Sequence, residues 1–157
     1  MVDRKSCKII SCILCLMFFI ACGKKEQLNP NSLFSYEDLT DSYDSNTTTF
    51  TRRYNDDTIK IKVMVTQDEK KHILQSFSEN NFQNFPKRID CSSWGVSPKI
   101  YDELTLDNLT VQYVHNVKKS FFCTDGKRFN EISILIKEII LNKPEVKKLE
   151  MSDISYE

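Results

Sequence analysis

Strict alternation of apolar and polar side chains over residues 58–65 is the clearest pattern in the chain. Every second residue from Ile59 to Val65 is apolar, which places these side chains on one side of a β-strand. The preceding stretch, 47–54, is rich in threonine and aromatic residues, and residues 55–57 are Asn and Asp, which favour turns. We therefore predict a β-hairpin with one buried face.

Two later stretches have the apolar spacing of amphipathic helices. Thr66 and Glu69 are predicted to form a capping box at the start of the first, in which the side chain of each accepts a hydrogen bond from the backbone N–H of the other. This helix is predicted over 67–79. The second is predicted over 127–142, and Pro144 follows its end.

A second hairpin is predicted between the helices, with strands over 100–106 and 109–115 and a two-residue turn at 107–108. A short strand over 120–123 precedes the last helix. The expected fold class is α+β: an antiparallel sheet of about five strands in ββαβββα order, with the two amphipathic helices on one face.

The amino terminus has the organisation of an export signal. Basic residues occur within residues 1–8, and the chain from Ile9 to Ala21 is apolar apart from Ser11. A membrane-spanning helix is the alternative, but residues 9–23 would span about 22 Å as a helix against a hydrocarbon core of about 30 Å. We expect a cleaved signal peptide.

The sequence Phe19-Ile20-Ala21-Cys22 resembles the lipobox of bacterial lipoproteins. The resemblance implies cleavage before Cys22 and attachment of acyl chains there, which anchor the protein in a lipid bilayer. Gly23, rather than Asp, resembles the pattern of lipoproteins sent to the outer membrane of Gram-negative bacteria. The downstream region, with Thr-Phe-Thr-Arg at 49–52 and Pro-Glu-Val-Lys-Lys-Leu at 144–149, loosely resembles uncharacterised small lipoproteins of such bacteria, a resemblance that implies no activity. The expected location is therefore the Gram-negative cell envelope.

This reading divides the chain into three parts. Residues 1–21 are the signal peptide, and residues 22–46 are the lipidated Cys, a flexible tether and an acidic loop that leads into the domain. Residues 47–157 are then a single α+β domain.

Composition argues against several classes of partner. The chain has 22 basic and 22 acidic side chains, so a basic face for nucleic acid is not expected. Its three glycines, Gly23, Gly95 and Gly126, are too far apart for a phosphate-binding loop, which argues against a nucleotide ligand. No cofactor is expected.

Cys91 and Cys123 are the cysteines that remain after the signal and Cys22. An even remainder in an oxidising compartment indicates a disulfide, with a redox pair or a metal pair as alternatives. The two histidines, His72 and His115, have no metal-ligand spacing with either cysteine, so no metal site is predicted.

No motif points to catalysis. Neither H-E-x-x-H nor G-x-S-x-G occurs, although a nucleophile and a distant histidine can still meet in space. We therefore predict a protein without enzymatic activity and keep a small hydrolase as the weaker alternative.

The loop after Cys91 carries Trp94, Pro98 and Tyr101, residue types that favour protein contacts. The competing interpretation is that Trp94 covers the disulfide in a small core. The sequence thus suggests an envelope-anchored module that binds another envelope protein, as an inhibitor or immunity protein would. A structural accessory of an envelope assembly is the alternative.

Overall fold

The computed structural model describes residues 28–91, 100–115 and 123–154, and within them seven strands form one mixed sheet. Across the sheet the strands run in the order β4-β3-β2-β1-β6-β7-β5. Their bounds are β1 Phe34–Glu37, β2 Asp41–Asp44, β3 Thr49–Arg53, β4 Thr58–Lys62, β5 Arg88–Asp90, β6 Tyr101–Leu106 and β7 Leu109–Val114.

Three α-helices accompany the sheet in these described ranges: α1 Gln67–Glu79, α2 Thr124–Leu141 and α3 Pro144–Lys147. A single 3₁₀ turn, Phe82–Asn84, follows α1. The capping box at α1 is confirmed, because Glu69 N–H donates to the Thr66 hydroxyl at 3.2 Å and Thr66 N–H donates to the Glu69 carboxylate at 2.8 Å. None of the described helices combines the length and the apolar character needed to cross a bilayer.

The α+β class and both predicted hairpins are confirmed. The expected sheet of five antiparallel strands is wrong in two respects. It has seven strands, and β5 pairs in parallel with β7. The predicted strand over 120–123 falls on residues 120–122, which lie outside the described residues, while Cys123 directly precedes α2.

The assignment of residues 34–46 to a tether and an acidic loop is also wrong. Phe34 and Tyr36 in β1 and Tyr43 in β2 are buried, and β1 pairs with β6 in the centre of the sheet. Asp38 closes the tight β1–β2 turn by accepting from the backbone N–H of Thr40 and Asp41. The folded domain therefore begins before residue 47.

Residues 28–33 are also fixed to the domain rather than free. Asp107 accepts from the Ser32 hydroxyl and from Leu33 N–H, both at 2.8 Å. Leu28 packs against the core. The part of the predicted tether that remains between Cys22 and the described chain is residues 23–27.

One face of the sheet, the inner face, supplies half of the core. Its central row runs through the pairs Phe50↔Tyr43, Tyr43↔Tyr36 and Tyr36↔Leu104. The helices supply the other half, and their buried core residues are Ile73, Leu74, Phe77, Phe129, Ile132, Ile136, Ile140 and Val146. All of these side chains belong to one core cluster, which leaves the opposite face of the sheet to be considered separately.

Candidate functional site

The structure brings the two predicted bridge cysteines together. Cys91 follows β5, Cys123 precedes α2, and a disulfide joins them with their Cα atoms 5.8 Å apart. Gly126, in the first turn of α2, lies against both sulfurs and against the ring of Tyr113. The predicted disulfide is confirmed, and it fastens one edge of the sheet to a helix.

The predicted contact patch is only partly described. Trp94 and Pro98 lie outside the described residues, as does the proposed lipidation site Cys22. Tyr101 begins β6 and is 51% exposed. It lies on the face of the sheet opposite the core, because its neighbour Asp102 is buried and side chains alternate along a strand.

That opposite face, here called the outer sheet face, consists almost entirely of polar side chains. Its members are Ser35, Glu37, Ser42, Asp44, Thr49, Thr51, Arg53, Thr58, Lys60, Lys62, Arg88, Asp90, Tyr101, Glu103, Thr105, Thr110 and Gln112. A shallow depression of about 590 Å³ lies over its β4–β1 half. Val114, at the end of β7, is the buried exception.

Hydrogen bonds between neighbouring strands hold several of these side chains in place. The Thr105 and Thr110 hydroxyls lie 3.0 Å apart, and Gln112 Nε2 donates to Glu103 at 3.1 Å. Arg53 pairs with Glu37 across the sheet. The outer sheet face is thus a rigid surface of hydroxyl, amide and charged groups whose positions are set by the strand register.

A chain of ionisable groups that runs from the half-buried Asp38 through the buried Asp102 to the exposed His115 lies on the inner face at one end of the sheet. Lys137 Nζ lies 2.9 Å from Asp38 Oδ2 and 3.2 Å from Asp102 Oδ2, and His115 Nε2 lies 2.8 Å from Asp102 Oδ1. Burial alone would raise the pKa of Asp102, but the His115 hydrogen bond and the charge of Lys137 outweigh it and lower that pKa. Asp102 is therefore held ionised.

A second buried pair adjoins this chain. Arg52 Nε and Nη2 each lie 2.8 Å from an oxygen of Asp41, a bidentate pair, and Arg52 Nη1 donates to the Glu150 carbonyl. The Tyr36 hydroxyl is buried nearby with no hydrogen-bond partner among the described residues. Burial, together with the charges of Asp41 and Asp38, raises the pKa of Tyr36 above its ordinary value, so its phenol stays protonated.

His115 is the accessible member of this cluster, with 43% of its side chain exposed. Its described contacts are Asp102, the edge of the Tyr113 ring, and a backbone bond to Ile100. These contacts orient an imidazole but include no serine or cysteine nucleophile. His72 is exposed on α1.

The sequence does not predict this cluster, because the run of acidic residues that includes Asp38 and Asp41 indicates a solvated loop. The signal in the sequence is short: Phe34 and Tyr36 are two residues apart, and so are Asp41 and Tyr43, but each alternation covers a single four-residue strand. Within 28–91, 100–115 and 123–154, no group of three or more His, Cys, Asp or Glu side chains is arranged to hold a metal ion.

No protein-family model, no curated protein and no solved structure matches this chain.

Proposed function

We propose that this protein is a lipid-anchored binding module that recognises another protein of the bacterial envelope through its outer sheet face. The single observation that supports this is the division of the sheet. The side chains of the inner face are buried in the core, whereas the described side chains of the opposite face are polar and, apart from Val114, half-buried or exposed.

The dimensions of this face suit a protein partner. Seven strands at a spacing of about 4.8 Å give a width of roughly 29 Å, and strands of this length are roughly 15 Å long. The resulting flat area of roughly 440 Å² is about half of the ~800 Å² that one partner contributes to a standard interface, so it suits a small, transient interface. Groups fixed on strands also present a more exact pattern to a partner than groups on loops do.

The anchor rests on the lipobox resemblance at Cys22. Five residues, 23–27, lie between Cys22 and Leu28, so the six residue-to-residue steps span about 20 Å when fully extended. An acylated Cys22 would therefore keep the domain close to the bilayer, and two or more acyl chains would make attachment stable. Labelled palmitate should enter the wild-type protein and not the Cys22→Ala variant; equal labelling of both would refute the anchor.

Site-specific photo-crosslinking in intact cells tests the contact surface. A photoreactive residue at Thr51 or Thr105, on the outer sheet face, should give a discrete adduct with one envelope protein. The matched control is Ile134, which is 54% exposed on α2 on the other side of the molecule. Adducts from Ile134 and none from Thr51 or Thr105 would show that the outer sheet face is not the contact surface.

The Asp102–His115 pair favours one second candidate, a small hydrolase in which the oriented imidazole acts as a general base. A hydrolase of this kind also needs a nucleophile beside His115, and the described contacts of His115 do not include one. Hydrolysis of ester or peptide substrates by the purified full chain that is lost in His115→Ala, with folding unchanged, would support it. No turnover by the wild type would reject it.

A further inference from the structure

β4 forms one edge of the described sheet, where its one neighbour is β3. The hydrogen-bond pattern between these two strands shows which backbone groups of β4 point away from the sheet. The Val63 N–H donates to the Thr48 carbonyl at 2.9 Å, and the Tyr54 N–H donates to the Asp57 carbonyl at 2.8 Å. In an antiparallel pair, every second residue of a strand forms its backbone hydrogen bonds with the neighbouring strand. Counting between the two bonds above, the backbone N–H and C=O groups of Ile59 and Ile61 point towards β3.

Thr58, Lys60 and Lys62 therefore direct their backbone N–H and C=O groups outward. The Thr58 N–H is already used, because it donates to the side chain of Asp57 at 2.6 Å. The N–H groups of Lys60 and Lys62 and the carbonyls of all three have no partner in the described ranges. The C-terminal segment does not cover them, since its described bonds go to Arg52, Arg53, Tyr54 and Asn55.

The side chains of β4 specify what kind of strand fits beside it. Lys60 and Lys62 are exposed on the outer sheet face, and Lys60 has no ion pair among the described residues. Ile59 and Ile61 are half-buried on the inner side, where Ile61 packs against the core. A strand added here would meet lysines on one side and isoleucines on the other.

We propose that β4 is the docking edge for an extended segment of the partner protein, in which acidic residues alternate with apolar ones. Directly opposite residues of an antiparallel pair interact most strongly, so Asp or Glu would lie across from Lys60 and Lys62. The same charges disfavour a second copy of this chain as the occupant. If two β4 strands pair antiparallel with Lys60 at the centre, the two Lys60 side chains lie opposite each other. If the centre lies midway between Lys60 and Lys62, each Lys60 lies opposite a Lys62.

This inference rests on the proposed binding function and specifies its mode. Backbone amide hydrogen exchange on the full-length chain in detergent tests it, with a soluble peptide of alternating Glu and Val as the probe. At saturating peptide, exchange of the Lys60 and Lys62 amides should slow by about tenfold or more, because they gain hydrogen bonds. The amides of Ile59 and Ile61, already bonded to β3, are the internal control and should change far less.

Two variants separate the contributions of backbone and charge. Lys60→Pro deletes an outward N–H without removing a bond to β3, a position that an edge strand tolerates. Lys60→Glu combined with Lys62→Glu reverses the charge. In both variants the Glu-containing peptide should no longer slow amide exchange at residue 62. In the charge-reversed variant, a peptide of alternating Lys and Val should slow it instead. Lys127→Glu, an exposed change on α2, is the matched control and should behave as wild type.

Two outcomes would overturn the proposal. One is no change at Lys60 and Lys62 with the Glu-containing peptide. The other is equal protection by the Glu-containing and Lys-containing peptides in the wild type. Neither outcome affects the photo-crosslinking result at Thr51 and Thr105, so failure of the edge inference can be told apart from failure of the proposed binding face.

Discussion

Gly126 occupies a position where even one methyl group has no room. A Cβ added there would lie 2.6 Å from the Cys123 sulfur and 2.8 Å from Cε2 of Tyr113. The ring of Tyr113 cannot move away easily, because it stacks on Phe129 at 5.3 Å. Alanine normally stabilises a helix relative to glycine by about 1 kcal/mol, but overpacking costs about 1–3 kcal/mol.

We therefore expect Gly126→Ala to lower the free energy of unfolding by about 1–2 kcal/mol, as measured by urea titration. Lys127→Ala, an exposed change one residue along the same helix, is the control and should shift stability by less than about 0.5 kcal/mol. A stabilising effect of Gly126→Ala would show that the contact with the disulfide does not constrain this residue.

Asp102 links stability to pH. Its pKa in the folded protein lies below the ordinary value of 3.8, because His115 and Lys137 outweigh the effect of burial. The stabilisation from this carboxylate is therefore complete above the unfolded-state pKa and is lost as pH falls through the lower, folded-state pKa. The ionisable groups that surround it are His115, Lys137 and, through Lys137, Asp38.

We expect Asp102→Asn to reduce the free energy of unfolding by about 2 kcal/mol near neutral pH, since a charged hydrogen-bond acceptor is lost. The difference from wild type should shrink below about pH 4, where the Asp102 carboxylate of the unfolded wild-type chain begins to take up a proton while that of the folded protein is still ionised. Urea titrations at several pH values measure both effects, with the exposed Asp56→Asn as control. A difference that stays constant down to pH 3 would contradict the linkage.

At the scale of single elements, the turn between β2 and β3 is strained at Thr48. Its φ is 52°, in the left-handed region that β-branched residues rarely adopt. Asparagine tolerates this region, so Thr48→Asn should raise the free energy of unfolding by about 0.5–1 kcal/mol. Thermal unfolding measures the change. Thr49→Asn, one residue later in extended β3, should do the opposite, and equal effects of the two changes would rule out relief of strain.

Elements with strong periodicity were predictable, and short ones were not. α1 shows both a capping box and an apolar period, and the predicted bounds of 67–79 match Gln67–Glu79. β1 and β2 have four residues each, too few for alternation to stand out among the surrounding acidic residues. β5 has three residues and is held by pairing with distant β7, an interaction that local sequence does not encode.

At the scale of the whole molecule, strand order decides which candidate sites exist. The sequence predicts a strand over 58–65, observed as Thr58–Lys62, but does not predict that β4 lies at an edge, because that depends on β1 pairing with β6. The chain of ionisable groups similarly joins the β1–β2 turn, β6, the residue after β7 and α2. The disulfide, by contrast, was predictable from the sequence, because only two cysteines remained after the signal and Cys22 had been assigned.

The disulfide should contribute a large share of total stability. It closes a loop with a sequence separation of 32 residues. Such a crosslink restricts the unfolded chain and is worth about 3.7 kcal/mol in the chain-entropy model, against ~5–15 kcal/mol for a whole domain. It also ties β5, whose described pairing is with β7 alone, to the start of α2.

Replacing both Cys91 and Cys123 with serine should therefore lower the free energy of unfolding by about 3–4 kcal/mol in urea titrations. Hydrogen exchange should quicken first at β5 and the first turn of α2, while the distant β3–β4 hairpin keeps its protection until global unfolding. Wild-type protein unfolded with and without a reductant provides the same comparison without mutation. If neither comparison shifts the unfolding midpoint, the loop between the cysteines is constrained by other contacts and the bridge does not stabilise the fold.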